Sequence, residues 1–329
     1  MTQPTVSTAA GPRRFQLPSL STLGPLIALL IAIIVFSTQS PRFFSGTNFS
    51  LILQQISYTA VLAIGQTLII LIAGIDLSIG IVMALGGLVM AKLATESGVP
   101  PVLAILAGFL TTMFFGFVNS QVITRLRVPP FIATLGMLGI VTALNQTYSG
   151  SQTINNLPPA LTALGNTFKI GGTAITYGTV VMLIMYLIAW FILTETAPGR
   201  HLYAVGNNPE AARLSGIPID RLTVLVYTIA GLIYGVAALI LVARTGVGDP
   251  NAGQTDNLDS ITAVVLGGTS LFGGRGNVIG TLIGALIVGV FRNGLVLMGV
   301  SSVYQILITG ILVILAVSVD QLSHRRQRG

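Results

Sequence analysis

Two histidines, nine carboxylates and no cysteine are all that 329 residues offer for acid–base, nucleophilic or metal chemistry. Only His201 and His324 can offer an imidazole, so neither a His-based metal site nor a Ser-His-Asp triad is expected. Without cysteine there is no disulfide and no thiolate-ligated zinc. A phosphate loop needs G-x-x-x-x-G-K-[ST], and neither Lys92 nor Lys169 follows a glycine, so no ATP site of that kind is present. The stretch "GGTSLFGGRGNVIG" (267–280) has the glycines of such a loop without the Lys-Ser/Thr. It reads as a broken span or a close helix approach, in which Gly273 and Gly274 let backbones touch and Arg275 is a positive anchor.

Asp76, in "AGIDLSIG" (73–80), is the carboxylate with most to explain, because a charge inside a bilayer is costly and is kept for a reason. It can cap the apolar helix that follows, with Ser78 supporting the same start, or belong to a proton or cation path. The cap is favoured: Leu77 and Ser78 open an apolar run directly after it, and no second acid lies close in sequence.

The elements that must position these residues are apolar. The chain is 53% hydrophobic and 8% charged, with mean hydropathy +0.87, whereas a soluble domain carries about 25% charged residues. It is therefore read as an integral membrane protein. Its net charge of +7 is scattered between apolar runs, so no nucleic-acid face is expected. A crossing takes about 20 apolar residues. Segments near 23–37, 49–72, 78–94, 101–122, 130–148, 174–194, 222–243, 258–272, 277–298 and 303–319 qualify. The expected fold is all-α, with about ten transmembrane helices. Arg13 and Arg14 before the first segment, and Arg325, Arg326 and Arg328 after the last, place both termini in the cytoplasm. Arg125, Arg127, Arg200, Arg213, Arg221 and Arg275 then fall on that same side. Residues 1–22 read as a disordered cytoplasmic tail, 23–320 as one transmembrane domain and 321–329 as a basic cytoplasmic tail. The short first segment reads as an uncleaved anchor. "IDLSIGIVMALGG" (75–87) and "LDSITAVVLGG" (258–268) echo each other five spans apart, hence in opposite directions, which is the pattern of inverted repeats.

One hydrophilic stretch interrupts the apolar runs: "GRHLYAVGNNPEAARLSGIPIDR" (199–221). Asn208 suits an N-cap, Pro209 the first helical position, Glu210 the positive helix start, Arg213 the negative end, and Gly216 a left-handed C-cap. Two helical turns do not persist alone in water, and a plain turn rarely needs about 20 residues. A docking element for a partner's groove is the expected role.

The segments "GQTLIILIAGIDLSIGIVMALGG" (65–87), "VPPFIATLGML" (128–138), "GRHLYAVGNNPEAARLSGI" (199–217) and "LGGTSLFGGRGNVIGTLIGALIVG" (266–289) together resemble the permease subunits of bacterial ABC sugar importers of the ribose, xylose, arabinose and galactose type. The resemblance covers nearly the whole chain from about residue 45. It implies that the loop from Asn207 to Gly216 is the coupling helix, which inserts into a separate ATP-binding subunit: Asn208 and Gly216 would shape it, Ala211 and Leu214 would fill the partner groove, and Glu210 and Arg213 would give polar register. It also implies a homodimer of permeases in the cytoplasmic membrane, a periplasmic or lipid-anchored sugar-binding protein, and ATP and Mg²⁺ held by the partner chain and not by this one.

A sugar in transit needs amides, hydroxyls and an aromatic face. Gln55, Gln66, Asn119, Asn145 and Asn293 are the path candidates, with Gln146, Gln305, Tyr58 and Tyr234 as further possibilities; each alone also fits helix-to-helix packing. The loop 244–259 is expected outside; a solvated loop is the default reading, and a docking surface for the binding protein built from its three acids and Arg244 is the alternative. Nucleosides, branched-chain amino acids and quorum-signal sugar derivatives are the alternative cargoes, and an ion-coupled secondary transporter or a membrane scaffold the alternative classes.

Overall fold

The computed structural model describes residues 20–311, 314 and 318. The tails expected at 1–22 and 321–329 lie outside these residues, except for Leu20, Ser21 and Thr22, which open the first helix. In chain order the elements are α1 (Leu20–Gln39), α2 (Gly46–Leu71), α3 (Ile79–Thr95), α4 (Pro101–Thr124), α5 (Pro130–Ser149), α6 (Pro159–Thr162), β1 (Thr167–Ile170), β2 (Thr173–Thr176), α7 (Tyr177–Glu195), α8 (Ala197–Asn207), α9 (Pro209–Leu214), α10 (Ile219–Thr245), α11 (Asp256–Leu266), α12 (Val278–Leu297) and α13 (Ser302–Ile311). Six of them, α2, α4, α5, α7, α10 and α12, are long and apolar enough to cross a membrane.

The eighth expected span is not a full crossing. Helix α11 has 11 residues, about 16 Å at 1.5 Å per residue, and ends where Gly267 and Gly268 follow. The apolar run 258–272 looks longer than the helix because the residues after Gly268 are irregular backbone. An antiparallel hairpin, β1 with β2, was not anticipated; Gly171 and Gly172 both have positive φ and close its two-residue turn.

Helix α10 runs through the middle, packed on α2, α3 and α4. Its approach to α4 is backbone to backbone. A Cβ on Gly231 would lie 2.5 Å from the Thr112 carbonyl oxygen, and one on Gly116 would meet the Tyr227 carbonyl. Small residues at such crossings replace the missing hydrophobic drive with close van der Waals contact. Polar pairs tie other helices: Ser57 to Thr179 at 3.0 Å, Thr67 to Thr281 at 2.9 Å, and the Tyr186 hydroxyl to the Ala60 carbonyl at 2.9 Å.

Between α2 and α3 the helix is broken. Residues 72–78 run as irregular backbone, with Ala73 at φ 60°. Their polar groups find partners on four elements. Leu77 N–H donates to Thr134 Oγ1 of α5 (3.1 Å), and the same hydroxyl lies 3.1 Å from the Ile75 carbonyl. Asn257 Nδ2 of α11 donates to the Leu77 carbonyl (3.2 Å), and Asn119 Nδ2 of α4 to Ser78 Oγ (3.0 Å). Asp76 is fully buried. Its Oδ1 accepts from Ser78 N–H (2.8 Å) and Ser78 Oγ (2.7 Å), and its Oδ2 from the Tyr234 hydroxyl of α10 (3.0 Å). The expected cap is thereby corrected: Ser78 occupies the N-cap position without a side-chain cap bond, and Asp76 instead folds the chain into a tight turn and ties it to α10.

Two outcomes follow. Gly231→Leu drives a side chain into the α4 backbone and costs about 2 kcal/mol or more, read as loss of monodisperse protein in detergent size-exclusion. Asp76→Leu leaves the Ser78 N–H and the Tyr234 hydroxyl buried without an acceptor, at about 1–3 kcal/mol each. Its melting temperature in detergent should fall well below that of Asp76→Asn, which keeps an acceptor oxygen.

Candidate functional site

The hydrophilic stretch folds as two helices. Thr196 opens α8, its hydroxyl accepting from Gly199 N–H (3.3 Å), and Pro198 sits in the first turn. Leu202, Val205 and Gly206 are the buried face of α8. The sequence reading missed this helix, although Thr-Ala-Pro at 196–198 is a start signal. At the corner, Asn208 leaves the helical region (φ −155°) and its Oδ1 accepts from Ala211 N–H (3.0 Å), with Pro209 first in α9. Gly216, at φ +85°, closes α9: its N–H bonds the Arg213 carbonyl (3.0 Å) and Ile217 N–H the Ala212 carbonyl (3.1 Å).

Only Ala212 of α9 is buried. Asn207, Asn208, Pro209, Glu210, Ala211, Arg213, Leu214 and Gly216 are exposed, and Glu210 pairs with Arg213 at 3.2 Å on the surface. Leu214 is 81% exposed. An exposed leucine on a capped six-residue helix cannot be explained by packing within this chain.

Behind α9 lies the turn 273–276. Gly273 and Gly274 have φ +82° and +70°. Gly274 N–H donates to the Leu71 carbonyl at the end of α2 (2.9 Å), and a Cβ there would lie 2.6 Å from the Asn207 nitrogen. Gly206 packs on the same Leu71 carbonyl. Tyr203 donates to the Gly276 carbonyl (3.0 Å), and burial raises its phenol above the ordinary range, so it stays a protonated donor at neutral pH. The Arg275 carbonyl accepts from Ser270 N–H (3.0 Å). The α8–α9 corner, the glycine turn and the end of α2 therefore meet at one point, and 72–78 leads from it to Asp76.

The path candidates separate. Asn293 and Asn48 exchange two amide hydrogen bonds of 2.9 Å between α12 and α2, which occupies the Asn293 amide in helix packing. Asn145 donates to the Ile81 carbonyl (3.2 Å), and Asn119 holds Ser78. The carbonyl oxygens of both, and both amide atoms of Gln66, are buried without a partner among the described residues. Gln55 lines a cavity. The loop 244–259 is not wholly outside: Asp256 and Asp259 are buried at the start of α11. The polar composition of 249–257 hid this, because Gly253 packs on Gly80 and carries the chain inward. Thr134, Asn257 and Tyr203 belong to the site and were not singled out. Among the described residues no group of three His, Asp or Glu could hold a metal ion.

The family model described as "Branched-chain amino acid transport system / permease component" matches residues 48–317. The chain is 44% identical over 303 residues to a fructose import permease protein of Rhizobium meliloti, covering 90% of this chain and 84% of that one. It is 41% identical over 317 residues to a ribose import permease protein of Escherichia coli K12, covering 96% and 98%. A D-allose transport system permease protein of the same organism is 35% identical over 300 residues, covering 91% of each. With near full-length similarity of this kind and six helices able to cross a bilayer, the chain belongs to the multi-pass permease components of ABC importers and groups with the sugar permeases of the ribose and galactose type.

Proposed function

We propose that this permease carries a neutral monosaccharide across the cytoplasmic membrane by alternating access, as one of two identical copies, with energy from a separate ATP-binding subunit. The observation that carries the reading is the set of relatives: permeases named for fructose, ribose and allose are similar to this chain along almost its whole length. Cargo arrives with a periplasmic or lipid-anchored binding protein. ATP and Mg²⁺ stay on the partner chain, whose closure draws the two α9 helices together. Both termini are cytoplasmic, and the chain crosses about ten times if α11 and its following turn are counted as a broken crossing. The meeting of the segments that lead into α3 and α11, where Asn257 bonds Leu77 and Gly253 packs on Gly80, supports an inverted repeat with two broken elements joined at its centre.

Exposed Leu214 fills the ATPase groove in this reading, with Glu210 and Arg213 beside it setting the register. Leu214→Asp should insert in the membrane normally and lose at least about tenfold in recovery of the ATPase, as expected for an apolar anchor in an interface. ATP-dependent uptake should vanish with it. The measurement is mild-detergent purification of the tagged chain with mass spectrometry of its partners, beside vesicle uptake of labelled sugars. Normal uptake by the variant refutes the assignment of α9. Recovery of the wild-type chain without any ATPase refutes the importer reading as a whole.

A further inference from the structure

Two guanidinium groups face one cavity inside this apolar protein. The cavity, about 300 Å³, is lined by Gln55, Tyr58 and Thr59 of α2, Arg244 of α10, Asp259 of α11 and Arg292 of α12, with Gln305 of α13 at its edge. Arg292 lies well inside α12, and its side chain is 43% exposed while that of Asp259 is 5% exposed; the two pair at 3.1 Å. Asp256, also buried, accepts from the Tyr58 hydroxyl at 3.3 Å, and the Arg244 guanidinium sits 5.5 Å over the Tyr58 ring.

A half-exposed guanidinium on a spanning helix cannot rest against hydrocarbon without a cost of a few kcal/mol. Arg292 could lift its head toward the helix end, as such side chains do, but it turns inward to Asp259. Its exposed portion forms part of the cavity wall. The charges also balance: Arg244 and Arg292 stand against Asp256 and Asp259, so the cavity offers no net attraction to an anion or a cation. A carboxylate-bearing solute would gain the Arg292 guanidinium only by displacing Asp259, a buried aspartate that would be left unpaired at high cost. A vicinal diol can instead donate to Asp259 and accept from Arg292 while their pairing persists, forming charge-assisted hydrogen bonds on both sides. The volume is at the small end of the roughly 300–1,000 Å³ of ligand sites, suited to a single sugar ring.

We propose that this cavity is a water-filled section of the translocation path that receives a neutral polyhydroxylated solute, with Asp259 and Arg292 as its specificity-determining pair. The proposal rests on the transport reading above for its cargo and on geometry alone for its water.

The chain contains no cysteine, so any single-cysteine variant carries one thiol. Gln55→Cys and Val288→Cys stand in the cavity wall; Leu187→Cys, on the outer face of α7 and 65% exposed, serves as the lipid-facing control. Each is expressed with its partner subunits and labelled in membrane vesicles by a charged, membrane-impermeant methanethiosulfonate. The two cavity thiols should react at least about tenfold faster than the control, because only a hydrated thiol ionises. Saturating D-fructose or D-ribose should slow them, and L-leucine should not. Asp259→Asn should raise the KM of uptake more than it lowers kcat. Cavity thiols as inert as Leu187→Cys overturn the proposal, since the cavity is then dry. Labelling that no sugar slows, or that only L-leucine slows, overturns the assignment of the solute. Labelling requires no transport, so uptake and ATPase recovery test the importer reading separately in the same vesicles.

Discussion

Backbone polar groups buried away from water must find partners inside the protein, and this chain leaves its helices at 72–78 among buried residues. Every statement about its centre follows from how the unwound residues 72–78 are satisfied. In an intact span each N–H finds its own carbonyl one turn away. Here the partners come from elsewhere: Thr134 from α5, Asn119 from α4, Asn257 from α11, Tyr234 from α10 through Asp76. Side-chain donors and acceptors that look like scattered polar residues in an apolar sequence are the repair of one broken ladder. The repair also fixes their positions, because moving any of the four elements alone strands a buried polar group.

The same constraint joins the exposed helix to the interior. Asn207 lies against Gly274, Gly274 bonds the last carbonyl of α2, and 72–78 continues from there to the Asn257 contact on α11. The glycines matter at this junction because any side chain at 206 or 274 would push the α8–α9 corner off the end of α2. Any displacement of α9 thus meets close backbone contacts at Gly206 and Gly274 within the first residues behind it. The route ends at α11, whose first turn supplies Asp256 and Asp259. This is a continuous physical path of contacts from α9 to α11.

Length and hydropathy made most of the helices legible, since α2, α4, α5, α7, α10 and α12 are long apolar runs with few charges. The N-cap at Asn208 and the C-cap at Gly216 were legible for a different reason: capping is local, and the residues that do it are adjacent in sequence. What was misread is non-local. Helix α11 passed for a full span because hydropathy does not register that the chain past Gly268 leaves the helix. Its acids passed for a solvated loop because their partners, Tyr58 and Arg292, lie 198 and 33 residues away. Helix α8 was overlooked where Gly199, His201 and Gly206 weaken the apolar period. Asp76 drew notice for the cost of its charge, yet its tie to Tyr234 across 158 residues left no mark in the surrounding sequence.

The two buried carboxylate sites solve the cost of burial differently, and the difference separates their roles. Asp76 is met only by neutral donors, a backbone N–H and two hydroxyls, all enclosed. These bonds hold the turn at 72–78 against α10. Asp259 is met by a guanidinium that is itself half in the open cavity. Breaking that pair outright would strand a buried charge, but adding hydroxyls to it would not. A polar group that joins an existing ion pair and leaves it again strands no buried charge, which is the difference between the pair at Asp259 and the enclosed Asp76.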